Sequence, residues 1–219
     1  PAPEQVTGLP SNIIAVSAGH GHGLALTSGG KVWSFGTSFG GTAPIEVYGI
    51  SDIIAIQAGS TTAYAIKSDG SLWAWGETSS GRLGVADEGF VEIPFQLIPS
   101  GVKEVSTYVS SSMALMQDGT VMSWGNVHNS NLGSDPDLSR RYQTVQEIPE
   151  RYQTVQEIPD LLNVVSVSMG KDHAFALLNN GTLMAWGENN SGQLGTGNTN
   201  DHYTPIATTR LTDVVQIAA

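Results

Sequence analysis

Short apolar runs recur along the chain in a fixed order, and the glycines between them mark the turns. Ile13-Ile-Ala-Val-Ser-Ala-Gly19 is followed by Gly23-Leu-Ala-Leu-Thr27, a Ser28-Gly29-Gly30 turn, and Lys31-Val-Trp-Ser-Phe35. The order returns from Ile53, through Ala63-Tyr-Ala-Ile66, Asp69-Gly70 and Leu72-Trp-Ala-Trp75. It returns again near Val102, through Met113-Ala-Leu-Met116, Asp118-Gly119 and Val121-Met-Ser-Trp124. A last full copy starts at Val164 and runs through Ala174-Phe-Ala-Leu177, Asn180-Gly181 and Leu183-Met-Ala-Trp186. Runs this short, split by Asp-Gly or Asn-Gly, predict strands joined by tight hairpins. A further extended segment, such as Pro44-Ile-Glu-Val-Tyr-Gly-Ile50, gives each unit about four strands and no helix.

Successive strand residues face opposite ways, so Leu72 and Ala74 lie on one side and Trp73 and Trp75 on the other. Both sides are apolar, whereas a sheet with one wet face alternates apolar and polar. Small sheets covered on both faces predict blades packed around an axis, and the fold class expected is an all-β propeller of four-stranded blades. The tryptophans Trp33, Trp73, Trp75, Trp124 and Trp186 belong to this repeating core. Gly36, Gly76, Gly125 and Gly187 recur at spacings of 40, 49 and 62 residues. The expected organisation is the end of a preceding repeat at 1–12 and full repeats at 13–52, 53–101, 102–163 and 164–213. A further repeat begins at 214–219. About four repeats then belong either to a larger ring or to an arc that assembles.

The widest spacing contains a duplication: Arg141-Tyr-Gln-Thr-Val-Gln-Glu-Ile-Pro149 is repeated at Arg151–Pro159. One copy is expected to supply the regular extended segment of repeat 3 and the other to be an insertion within 141–160. Loop-closure entropy grows slowly enough with length for such an addition to be tolerated.

The ordered pattern Ala-Gly-x-x-His-x-x-Ala-Leu, Asp/Asn-Gly, aromatic-x-Trp-Gly and Asn-x-x-Gly-Gln-Leu-Gly resembles the regulator of chromosome condensation repeat. Its best copies are Met169-Gly-Lys-Asp-His173-Ala-Phe-Ala-Leu177 and Trp186-Gly-Glu-Asn-Asn-Ser-Gly-Gln-Leu-Gly195. His22 keeps the histidine in the first unit, while Thr62 and Ser111 replace it in the second and third. The resemblance implies a seven-bladed type of propeller, with about three blades beyond those seen here. The uses it implies are guanine-nucleotide exchange with chromatin contact, scaffolding and, in secreted bacterial relatives, inhibition of a β-lactamase. A repeat motif implies the fold and carries no activity by itself.

Composition narrows the function classes. Among 219 residues, 20 acidic and 9 basic side chains give a net charge of −11, which disfavours binding to a phosphate backbone. No cysteine is present, and no apolar run reaches the ~20 residues that span a bilayer. With the acidic balance and absent cysteine, the resemblance slightly favours an extracellular or cell-surface bacterial setting. His20 and His22 lack an evident third metal ligand, and His22 is expected to be a hydrogen-bonded structural residue. No catalytic, cofactor or metal site is expected, since the sequence holds no G-x-S-x-G, H-E-x-x-H or phosphate loop.

The function expected is non-enzymatic protein–protein interaction through variable loops on one propeller face. The alternatives are an inhibitor or guanine-nucleotide exchange factor acting on a specific protein, and a purely structural cell-surface segment. Unit lengths diverge at 85–95, 126–160 and 196–205. The candidate contact residues are the aromatics outside the repeat pattern, Phe39, Phe90, Tyr142, Tyr152 and Tyr203, with the basic pair Arg140 and Arg141. The partners expected are a protein, no nucleic acid and no membrane, with self-association through open propeller ends as a further expectation.

Overall fold

A computed structural model describes residues 2–39, 41–85, 89–126, 132–133, 155–209, 211 and 213–219. The chain divides into two compact units, one of Pro1–Glu77 with Phe90–Ser100, the other of Thr78–Gly89 with Gly101–Ala219.

The first unit holds two four-stranded antiparallel sheets, each with its strands in chain order. One comprises β1 (Ile13–Ala18), β2 (Gly23–Thr27), β3 (Val32–Gly36) and β4 (Gly41–Glu46); the other β5 (Ile53–Ala58), β6 (Thr62–Lys67), β7 (Leu72–Glu77) and β8 (Phe90–Ile98). The second unit repeats this with β9 (Val102–Tyr108), β10 (Ser111–Met116), β11 (Val121–Gly125) and β12 (Gln156–Glu157), then β13 (Val164–Met169), β14 (His173–Leu178), β15 (Leu183–Gly187) and β16 (His202–Ala207). Among the described residues the only helical pieces are two 3-10 turns, Thr37–Phe39 and Ser79–Gly81. The all-β architecture expected from the apolar runs is therefore present.

Burial follows the two-faced strand pattern. Every residue of β2 is buried, as are all of β6 and β10 except the last. In the first unit Leu24, Leu26, Val32, Ile53, Ala63 and Trp75 share one core. In the second, Met113, Leu115, Val121, Ile158, Val164 and Trp186 share another. Trp75, Trp124 and Trp186 are fully covered, whereas Trp33 and Trp73 are half-buried. These last two sit at the position that methionine fills in β11 and β15.

Neighbouring sheets within a unit are also latched by hydrogen bonds. The Ala58 amide donates to Ser17 Oγ at 2.9 Å, and the Met169 amide to Ser106 Oγ at 2.9 Å. Ser168 Oγ takes the amide of Ala219 at 2.8 Å. Each serine sits one or two residues before the end of a first strand, so within each unit the first strand of one sheet is tied to that of the next.

The hairpins between second and third strands, 28–31, 68–71, 117–120 and 179–182, are equal in length. Asp69 Oδ1 accepts from the Ser71 amide and hydroxyl, and Asp118 Oδ1 does the same for Thr120. These bonds hold both carboxyls below the usual carboxylate range. Asn180 Oδ1 takes the Thr182 amide in the fourth sheet. The first sheet has no such residue and uses Thr27 Oγ1, which accepts from the Lys31 amide at 3.0 Å.

The fourth strand of the third sheet comes from the second copy of the duplicated segment. Gln156 and Glu157 pair with Ser123 and Met122. The first copy, 141–149, lies outside the described residues.

Candidate functional site

In an up-and-down sheet, the first-to-second and third-to-fourth connections emerge at the same end, opposite the second-to-third hairpins. The third-to-fourth connections are 37–40, 78–89, 126–155 and 188–201, so the length variation gathers at that one end of each sheet. Parts of the first three fall outside the described residues.

Each third strand ends at, or one residue beyond, a glycine with φ between 107° and 119°: Gly36, Gly76, Gly125 and Gly187. A Cβ at these positions would collide with the carbonyl oxygens of Gly21, Thr61, Ser110 and Asp172. Only glycine permits both the positive φ and the close approach. In the fourth sheet Asn189 then organises the connection. It is fully buried, and its Nδ2 donates to Thr196 Oγ1 and to the carbonyls of Asn198 and Asn200. Its Oδ1 accepts from the Leu194 amide, and its own amide donates to Asp201 Oδ1 at 2.7 Å. Leu194 and the corresponding Leu83 are buried plugs. The Asn-x-x-Gly-Gln-Leu-Gly motif is thus scaffold.

Phe39 takes the role of this leucine in the first sheet, where the connection is shortest. It is 8% exposed, and its ring lies 4.3 Å from His22, 5.5 Å from Phe90 and 6.5 Å from Trp75, centroid to centroid. It is consequently a core residue rather than a free loop anchor, although one side of it lines a cleft. Phe90 opens β8 and is 47% exposed, while Tyr203 lies half-buried within β16. Both stand on fourth strands, so the windows 85–95 and 196–205 are part loop and part strand. Arg140, Arg141, Tyr142 and Tyr152 lie outside the described residues. Among the described residues, the structure brings together Phe39 and Phe90 of the expected contact residues.

The cleft they share lies within the first unit, between β3 and β4 on one side and β7 and β8 on the other. It encloses about 650 Å³. Phe39 and Trp75 line it with the exposed Ile45, Tyr48, Phe90 and Ile93. Glu46 and Glu92 also line it. Glu46 receives Lys31 Nζ at 2.8 Å, which raises the lysine pKa through the hydrogen bond and the charge. Sequence reading missed Ile45, Tyr48, Ile93 and the two glutamates. The available signal was the apolar character of Tyr48 and Ile93 on segments that match no other copy.

His22 is buried at 6% exposure against Gly19, whose missing side chain makes room for the ring. His173 packs on Gly170 in the same way. Where Tyr108 replaces this glycine, Ser111 replaces the histidine. Contrary to expectation, neither His22 ring nitrogen has a hydrogen-bond partner of good geometry. Burial pushes its pKa down to about 4, with the Thr62 backbone opposing the shift. Burial also lowers His173, against the opposing charges of Asp172 and Glu188. No group of three or more His, Asp or Glu placed to hold a metal occurs among the described residues.

The Regulator of chromosome condensation (RCC1) repeat matches at 13–41, 53–82 and 164–193, and a second model of that repeat matches at 180–219, together just over half of the chain. The Arabidopsis thaliana ultraviolet-B receptor UVR8 is 27% identical over 221 residues, covering 93% of this chain and 48% of that protein. A Mus musculus RCC1-like G exchanging factor-like protein is 29% identical over 223 residues, covering 94% and 48%. The chain thus spans about half the length of these curated relatives. Among solved structures, Prp20p from Saccharomyces cerevisiae, described with its binding properties to Gsp1p and histones, superposes with a TM-score of 0.78. Its identity is 22%, over 94% of this chain and 52% of that one. The matched repeats and the shared four-stranded sheets lead to one assignment: the chain belongs to the regulator of chromosome condensation repeat family of β-propellers.

Proposed function

We propose that this chain is a non-enzymatic protein-interaction module whose partner meets the sheet ends that carry the third-to-fourth connections. The observation that carries the reading is the contrast between the two ends of each sheet. Hairpins at one end are constant, whereas connections at the other differ several-fold in length on the same buried frame. Variable loops on a rigid scaffold are where recognition is usually carried. The description of Prp20p with Gsp1p and histones supports a protein as the partner. The excess of acidic residues favours a basic partner surface and speeds its association.

The test is capture of partners from the source organism's lysate by the chain and by two variants. One carries Asp87→Lys with Glu88→Lys, and the other lacks residues 134–150. Capture that weakens in either variant, with unchanged melting temperature, supports the reading. Equal capture by all three chains counts against it. A second reading, guanine-nucleotide exchange, is favoured by the mouse relative and by the length of the 126–155 connection. It predicts that the chain accelerates release of labelled guanine nucleotide from the captured partner.

A further inference from the structure

The cleft of the first unit has two properties that together describe an occupant. First, its exposed lining is apolar to an unusual degree: Ile45 is 44% exposed, Phe90 47%, Ile93 73% and Tyr48 80%. Apolar side chains scattered singly on a surface need no explanation, but four around one concavity mark a binding site. The cleft volume falls within the range of ordinary ligand pockets. Second, Glu46 and Glu92 add negative charge to this apolar surface. Lys31 offsets Glu46, whereas among the described residues no cation lies within ion-pair distance of Glu92. Trp75 also lines the cleft, so its indole reports on an occupant.

We propose that this cleft binds an extended peptide segment in which apolar and basic residues alternate. Apolar side chains cover Phe39, Phe90 and Ile93, and a Lys or Arg meets Glu92. Alternation follows from extended geometry, which sends successive side chains to opposite sides. One set enters the cleft while the other reaches the glutamates. The proposal rests on the interaction-module reading for the class of occupant, but apart from Ser38 and Phe39 of the shortest connection its surface lies outside the third-to-fourth connections.

The test uses a labelled acetyl-Leu-Arg-Leu-Arg-Leu-amide peptide, with Leu-Glu-Leu-Glu-Leu and Ser-Arg-Ser-Arg-Ser versions as controls. Binding is read by fluorescence anisotropy, and its location by the indole N–H resonance of Trp75 in a nitrogen-15 spectrum. The expected result is saturable binding of the first peptide, a shifted Trp75 indole signal, and at least tenfold weaker binding of both controls. Glu92→Lys should weaken binding roughly five- to tenfold, since exposed charge pairs are individually modest. Ile93→Ser should weaken it by about the same factor through lost apolar burial. Ile14→Ser removes an equally exposed apolar side chain on β1, outside the cleft, and should leave affinity unchanged.

Binding that leaves the Trp75 signal unmoved, or that survives both cleft substitutions, overturns the proposal. So does equal binding of the acidic peptide. A cleft that ignores all three peptides, while the connection variants described above still lose their captured partner, removes this inference and leaves the interaction-module reading standing.

Discussion

His22 links one buried ring to a measurable acid sensitivity. In the folded chain its pKa is near 4, against an ordinary 6.5, because burial penalises the charged ring. Holding a neutral imidazole across that interval corresponds to about 3 kcal/mol between the two protonation limits. The folded pKa lies below the unfolded one, so the unfolded chain binds the extra proton first. The stabilisation is fully present above pH 6.5 and is lost as pH falls towards 4. Between pH 7 and pH 5 the loss works out at about 2 kcal/mol.

The perturbation is His22→Thr, the residue that the second sheet uses at this position as Thr62. The variant loses stability at neutral pH through lost packing on Gly19 and Phe39. Its stability must nevertheless fall less steeply with acid than that of the wild type. Urea unfolding of both chains at pH 7, 6 and 5 isolates this difference, since carboxylates common to both cancel. Parallel pH profiles, differing by a constant, would refute the argument. They would mean that His22 titrates alike in folded and unfolded chains.

Two further predictions test the scaffold. Gly187→Ala places a Cβ against the Asp172 carbonyl at φ 107°, so a loss of about 3 kcal/mol or more is expected in urea unfolding. Gly192→Ala, at φ 76° with open space around it, should cost only about 1 kcal/mol. Equal effects would show that φ, rather than the close carbonyl, governs the Trp-Gly position. Deleting residues 141–150 leaves the copy that supplies β12 in place, so thermal stability should change by less than about 1 kcal/mol. A larger loss would show that the first copy also contributes to the fold.

The frame was legible because its signals are local and repeated. Asp69-Gly70, Asp118-Gly119 and Asn180-Gly181 announce hairpins through the side-chain turn bonds now seen at each. The Trp-Gly glycines recur because each must clear the same carbonyl. Other repeated signals were present but went unread. Ser17, Ser106 and Ser168 follow valine in three first strands, where their hydroxyls take the amides of Ala58, Met169 and Ala219. Asp52 and Asn163 precede first strands with φ near 60°, as does Asp213 before Val214, a conformation that Asp and Asn tolerate.

The cleft was illegible for a different reason. Its walls come from fourth strands and the segments beside them, where copies agree least, and it exists only because β4 and β8 face one cavity. Nothing in either segment alone marks this, since Tyr48 and Ile93 are 45 positions apart and belong to different units of the repeat. Phe39 shows how periodicity can mislead in the opposite direction. It falls outside the Gly-x-Leu-Gly pattern because the first connection is too short to contain that motif, and non-conformity made it look like a contact residue. Its packing against Trp75 shows that a truncated repeat still needs its plug and that a larger ring can supply it. A departure from the repeat therefore has two physical meanings, compensation for missing scaffold or surface released from scaffold duty. Burial separates them: Phe39 at 8% exposure belongs to the first, and Tyr48 at 80% to the second.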